Sequence, residues 1–175
     1  MIISVSEART YPEFADMSDD ELKTLLDAVE SLVRKYTNNN FQNRFIRFKA
    51  SSEGNILDGT SSFLKVGDTV QISESDVNDG LYVITELEGG TTTVDKDLWT
   101  VDNNLVTKVE YPPAVRQGVI NLLKWEVSGR DKVGIKQESI SRHSVTYYDQ
   151  DVNNQVMGYP ATLLGFLEMY KKARF

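Results

Sequence analysis

Cysteine is missing from the 175 residues altogether. Its absence excludes a disulfide framework, thiolate metal sites and a cysteine nucleophile. Histidine occurs once, at His143. A catalytic histidine needs a nucleophile and an orienting acid beside it, and Ser141 and Ser144 are too common a residue type to count as evidence of one. His143 therefore reads as a strand residue satisfied by local hydrogen bonds. Long apolar runs are lacking too, and none approaches a membrane span. The first residues, MIISVSEART, have neither the basic start nor the apolar run of a signal peptide. The expectation is a protein made and folded in a reducing cytosol.

Cofactor motifs are equally scarce. Asp149-Gln150-Asp151-Val152-Asn153 begins like a calcium loop, but Asn154 and Pro160 stand where it needs glycine and glutamate. Asp76-Val77-Asn78-Asp79-Gly80 places its glycine one position early and reads as a hairpin turn. Gly89-Gly90 lacks the lysine and helix of a phosphate-cradling loop. No metal, cofactor or catalytic residue is assigned, and the expectation is a protein that is not an enzyme.

What is present is a chain long enough for one core, or for a core with a small inserted domain. The formal net charge is −7, unevenly spread. Residues 1–43 hold 4 Lys/Arg against 8 Asp/Glu, residues 44–110 hold 6 against 12, and residues 111–175 hold 9 against 6. An acidic first part and a basic last part suit head-to-tail contact between identical subunits, although such asymmetry also serves solubility alone.

Ser18-Asp19-Asp20-Glu21 is a capping box with an acidic first turn. Leu22, Leu25, Leu26, Val29, Leu32, Val33 and Tyr36 follow at helical spacing, and Thr37-Asn38-Asn39-Asn40 stops the helix. From Arg44 to Tyr111 the texture changes to five strand-like runs, FIRFKA, FLKVGDTVQIS, GLYVITELE, TTTVDKDLW and NLVTKVEY. Turn signals separate them at Glu53-Gly54-Asn55, Asp58-Gly59, Asn78-Asp79-Gly80, Gly89-Gly90 and Asp102-Asn103-Asn104. Short strands at this spacing predict a small antiparallel barrel, SH3-like or OB-like, with Val70 and Ile72 inward. Its aromatic residues Phe45, Phe48, Phe63, Tyr82 and Trp99 suit a core, or a stacking surface for nucleic acid. The 12 acidic groups against 6 basic ones oppose the second use.

Pro112-Pro113 opens another helix, with Val115, Val119, Ile120, Leu122, Leu123 and Trp125 on one face and Gly129 at its end. Gly158-Tyr159-Pro160 leads into a last helix with Leu163, Leu164, Phe166, Leu167 and Tyr170 inside. The fold class is α+β: a small helical bundle, residues 1–43 and 111–175, interrupted by an inserted antiparallel β-barrel, residues 44–110. Between the last two helices runs VGIKQESISRHSVTYY, Val133 to Tyr148. Ile140, Arg142, Ser144, Thr146 and Tyr148 fall on one face of an extended chain, and Ser139, Ser141, His143, Val145 and Tyr147 on the other. No strand of matching pattern lies close in sequence, so this stretch is expected to pair with, or cross to, a neighbouring copy.

Four strings carry a family likeness: Ser18-Asp19-Asp20-Glu21-Leu22; Tyr111-Pro112-Pro113-Ala114-Val115; Gly134-Ile135-Lys136-Gln137-Glu138-Ser139-Ile140 with Ser144-Val145-Thr146-Tyr147; and the closing segment from Tyr159-Pro160 to Phe175. The pattern resembles the head–tail connector (adaptor) proteins of long-tailed bacteriophages and prophages, over residues 1–43 and 111–175. Many members have only a short connection where residues 44–110 stand. The resemblance implies a structural virion protein in the head–tail neck. Its copies, about a dozen, form a ring between the portal and a stopper or tail-completion protein, and DNA passes through as cargo. Ile135, Lys136, Ile140, Arg142, His143, Val145 and Tyr147 would then meet a neighbouring subunit, and Tyr170, Lys171, Lys172, Arg174 and Phe175 the portal. An isolated subunit is expected to be able to remain monomeric. The alternative is a nucleic-acid-binding module using the small barrel.

Overall fold

The computed structural model describes residues 1–129 and 155–173, with the backbone alone of 137–140 and 143–146. The architecture is α+β, and the chain divides into two compact units. One comprises Met1 and Asn40–Tyr111, the other Ile2–Asn39 and Pro112–Phe175.

The second unit opens with helix α1 (Val5–Ala8), a 3-10 turn (Pro12–Phe14) and helix α2 (Asp19–Thr37). The capping box forms as the sequence dictates. Ser18 Oγ accepts from the Glu21 amide at 3.3 Å, and Glu21 Oε2 accepts from the Ser18 amide at 2.9 Å. These contacts, with Asp19 and Asp20 beside them, satisfy donors at the positive end of the helix dipole. Leu22, Leu26, Val29 and Val33 are buried; Leu25, Leu32 and Tyr36 flank them half-buried. Asn38 ends the helix in the left-handed region, its N–H reaching the carbonyls of Arg34 and Lys35. Arg9 ties the start of α2 to the preceding turn, through Asp19 at 2.6 Å and the Phe14 carbonyl at 2.7 Å.

The first unit is a four-stranded antiparallel sheet: β1 (Gln42–Asp58), β2 (Thr69–Ser73), β3 (Gly80–Glu88) and β4 (Thr91–Val109). Strand β4 is its spine. One edge pairs with β1; the other pairs with β3 through Thr91–Val94 and with β2 through Leu105–Val109. Strands β2 and β3 also pair with each other. Ala50, Leu57, Val70, Ile72, Ile84 and Val106 lie in its core, each burial contributing about 1.5–3 kcal/mol for a large side chain. Val70 and Ile72 point inward as expected. Gly89 (φ 58°) and Gly90 (φ 91°) make the β3–β4 turn, where two positive φ values match the twist of the flanking strands.

Two expected turns do not exist. Glu53-Gly54-Asn55 and Asp102-Asn103-Asn104 lie inside β1 and β4, so five strand-like runs become four strands. The first signal marks irregular pairing on either side of Gly54, which bends the strand instead of reversing it. At the second, Asn104 is satisfied in place. Its Nδ2 donates to the Ala50 carbonyl at 3.1 Å and to Ser52 Oγ at 3.0 Å, and its Oδ1 accepts from Asn78 Nδ2 at 3.1 Å. Asn78 Oδ1 in turn accepts from the Trp99 amide at 2.8 Å. Ser52, Asn78 and Asn104 are buried, so these bonds replace water outright. The bend also brings the chain after β1 back on itself. A Cβ on Gly59 would stand 3.1–3.2 Å from Phe48, Ala50 and the Lys49 carbonyl, and only glycine fits comfortably.

Helix α3 (Pro113–Gly129) returns the chain to the helical unit. Val115, Val119, Ile120, Leu122 and Leu123 are buried, and half-buried Trp125 packs on Tyr159 with ring centroids 5.3 Å apart. Arg116 binds the Ile2 carbonyl and Glu7, both at 2.6 Å. Beyond it, β5 (Gln137–Ile140) pairs with β6 (His143–Thr146) in a two-stranded sheet of their own. A small hairpin follows, β7 (Gln155–Val156) with β8 (Tyr159–Pro160), turning at Met157 and Gly158, both of positive φ.

The closing segment is not one continuous helix. Helix α4 (Ala161–Leu164) is a single turn, tightened into a 3-10 stretch over Gly165–Tyr170. A 3-10 repeat eclipses positions three apart, aligning Leu164, Leu167 and Tyr170. Leu164 and Leu167 are buried; Leu163, Phe166 and Tyr170 are half-buried. Phe166 lies on Gly118 of α3, where a Cβ would run into the ring. Among the described residues no helix is long and apolar enough to cross a membrane.

Candidate functional site

Strand β5 stands opposite β6 with Gln137 facing Thr146, Glu138 facing Val145 and Ile140 facing His143. This corrects the expectation that Val133–Tyr148 is one extended segment with no partner strand nearby. Residues 137–140 instead pair antiparallel with residues 143–146. Alternation running unbroken through Ser141-Arg142 hid the reversal, because the pair lacks the glycine, asparagine or aspartate that marks a two-residue hairpin turn. Ile140, His143 and Val145 occupy paired positions in this hairpin. Ile135, Lys136, Arg142 and Tyr147, expected to share its interface, lie outside the described residues.

The C-terminal group divides as well. The Tyr170 carbonyl accepts from Asn39 Nδ2 at 3.1 Å. The Lys172 amide donates to the Thr37 carbonyl at 2.8 Å, and Asn38 Nδ2 donates to the Ala173 carbonyl at 3.0 Å. The chain end thereby supplies a backbone partner that the last turn of α2 lacks. Lys171 binds Glu168 Oε1 at 2.8 Å, and its ammonium stands 4.1 Å from the centre of the Tyr36 ring. Tyr36 donates to the same Glu168 oxygen at 2.5 Å. The Lys171 contact, then that of Tyr36, holds the Glu168 carboxyl below its usual range. The Glu168 bond, then Tyr36, raises Lys171. Of the expected portal contacts, Lys171 is thus engaged within the chain and Lys172 presents an exposed side chain. Arg174 and Phe175 lie outside the described residues.

The aromatic residues of the β unit split into two sets. Phe48 and Tyr82 pack against the core. Burial, followed by the Asp95 and Asp79 carboxylates, pushes the Tyr82 hydroxyl up. Phe45, Phe63 and Trp99 are exposed, at 100%, 67% and 73%. A reading of all five as core misses this, and the alternation within FIRFKA could not reveal it. The ladder jumps from Asn43–Lys108 to Arg47–Thr107, and in the bulge between them Arg44 and Phe45 are exposed while Ile46 packs against the core. Among the described residues, no group of three or more His, Asp or Glu side chains could hold a metal ion.

Fold and surfaces together define a two-unit α+β protein whose distinctive features are a two-stranded β5–β6 pairing, a closing segment strapped across the end of α2 and an exposed aromatic bulge. No family model matches the chain, and a search of curated proteins finds no match.

Proposed function

We propose that this protein is a structural component of a phage neck, a head–tail connector whose copies form a ring between the portal and a stopper or tail-completion protein. The observation that carries this reading is the β5–β6 hairpin between α3 and the closing segment. A two-stranded hairpin is at best marginally stable by itself in water. A pairing of only two strands gains most when a neighbouring subunit covers it or adds to it. A repeated heterologous contact of that kind closes into a ring when its rotation permits. The role asks for geometry and no bond chemistry, and DNA would pass through the ring without being gripped.

Within this reading the β unit is a small barrel inserted into the connector. The cycle of pairings from β2 to β3 to β4 and back to β2, with the curl of β1, supports closure of the SH3-like or OB-like kind. The exposed Phe45, Phe63 and Trp99, with Arg44, Arg47 and Lys49 on β1, favour a second reading as a nucleic-acid-binding module.

Co-sedimentation with phage portal rings, with single- and double-stranded DNA as parallel baits, separates the two. The connector reading expects retention by portal and rings in negative stain. It also expects Ile140→Asp with Val145→Asp to abolish ring formation while leaving the helical circular dichroism intact. Retention by DNA with no affinity for any portal would overturn it.

A further inference from the structure

We infer that the β unit carries both halves of a head-to-tail contact between two copies of this chain, with the Phe45 bulge of one copy seated in an acidic cleft of the next. The bulge is built by local chemistry. The Phe45 amide donates to Asn43 Oδ1 at 3.2 Å, Asn43 Nδ2 donates to Glu110 at 2.8 Å, and the Phe45 ring stands fully in solvent. Exposed Arg44, Arg47 and Lys49 lie on the same strand, three of the six cations between residues 44 and 110, with Arg47 Nε donating to Thr107 Oγ1 at 3.0 Å. Single exposed apolar residues are ordinary on protein surfaces, and cations on a bulged edge strand discourage unwanted pairing. What distinguishes this knob is its complement further along the same strand.

That complement is a cleft of about 450 Å³ between the second half of β1 and, on β4, its first residue Thr91 and residues 100–102. Glu53, Asp58 and Asp102 supply three carboxylates to its lining, and no cation contributes. Ile56, 45% exposed, gives it an apolar floor, with Val101 and Thr91 beside it. A volume of this size accepts an aromatic side chain. Interface hot spots are enriched in aromatic residues and arginine, and the acidic lining matches the charge beside Phe45. Phe45 does not fill the cleft of its own copy, since it is wholly exposed. Knob and cleft are different surfaces of one unit, so the contact is heterologous and propagates from copy to copy. It would extend the proposed ring reading to the inserted unit, yet it stands on the β unit's own geometry.

The test places p-benzoylphenylalanine at Phe45 in the full chain and irradiates the protein at high concentration without portal. Isotope-mixed copies identify which cross-links join two molecules. The expected products link position 45 to residues 51–58 or 100–102 of a second copy. Arg44→Glu with Arg47→Glu should lower the yield roughly tenfold. Adding Glu53→Arg and Asp102→Arg should restore it. Cross-links only to the helical unit, only to another position 45, or none at all would overturn the inference. So would a yield indifferent to both charge changes, or single-stranded DNA that itself cross-links at position 45. Portal co-sedimentation of the unmodified protein is read separately, so either idea can fail while the other stands.

Discussion

Asn78 and Asn104 each bring a carboxamide into the protein interior, and each is answered there. Together with Ser52 they tie the Ser75–Asp79 loop to β1 and β4 at the point where both long strands bend. Asn104→Ala leaves Asn78 Nδ2, the Ala50 carbonyl and Ser52 Oγ each short of a buried partner. Loss of such bonds costs about 1–3 kcal/mol. The expected outcome is a lower urea midpoint with an unchanged slope, because the exposed area on unfolding stays the same. A midpoint equal to the parent's would show that water enters and replaces the bonds. Sequence could not announce this junction. Asp102-Asn103-Asn104 carries a strong local turn signal, and only partners 26 or more positions away reverse its meaning. The Ser18 capping box was legible because all of its chemistry lies within four consecutive residues.

Among elements, the strap across the end of α2 has the clearest dependence on pH. Glu168 has a lowered carboxyl, so the stability it contributes is present above the ordinary glutamate value and lost as pH falls through the lowered one. Lys171 is raised, so its contribution holds below the ordinary lysine value and is lost as pH climbs through the raised one. Glu168→Gln should therefore speed hydrogen exchange at the Lys172 amide near neutral pH. The ratio of variant to parent rates should approach one as acid protonates the parent's Glu168. A ratio independent of pH would mean that the backbone bonds alone hold the strap. Elements bounded by strong local signals are legible in the residues themselves: the Gly80–Glu88 run is β3 to the residue, and Asn38 stops α2 as expected. The β5–β6 hairpin and the 3-10 ending are not. Their geometry depends on which residues meet across a turn or along a packed face, and alternation or spacing alone fits more than one answer.

On the scale of the whole molecule, the β unit begins and ends at one place. Phe41 and Tyr111 stack with ring centroids 4.9 Å apart, the Glu110 amide donates to the Phe41 carbonyl at 2.9 Å, and Gln42 pairs with Val109. Replacing residues 42–109 with a short Gly-Ser linker should leave the helical unit folded, with helical circular dichroism and cooperative melting retained. Loss of cooperativity would show that the helical unit depends on the insert. The division into a helical part and an all-β part was visible in the change from helical periodicity to strands and turns. The uneven charge of the three stretches could not locate the exposed Phe45 or the acidic cleft, because both lie at irregularities of strand pairing whose positions no residue type fixes.

The pairing at the root of the β unit has one more consequence, for the entropy of the chain that leaves α2 and returns at α3. A flexible segment of this length would have to give up closure entropy that grows with the logarithm of its length. Once β1 and β4 have zipped, their ends lie about one strand spacing apart, roughly 5 Å. To the helical unit, the whole insert then behaves as a connection of only a few residues.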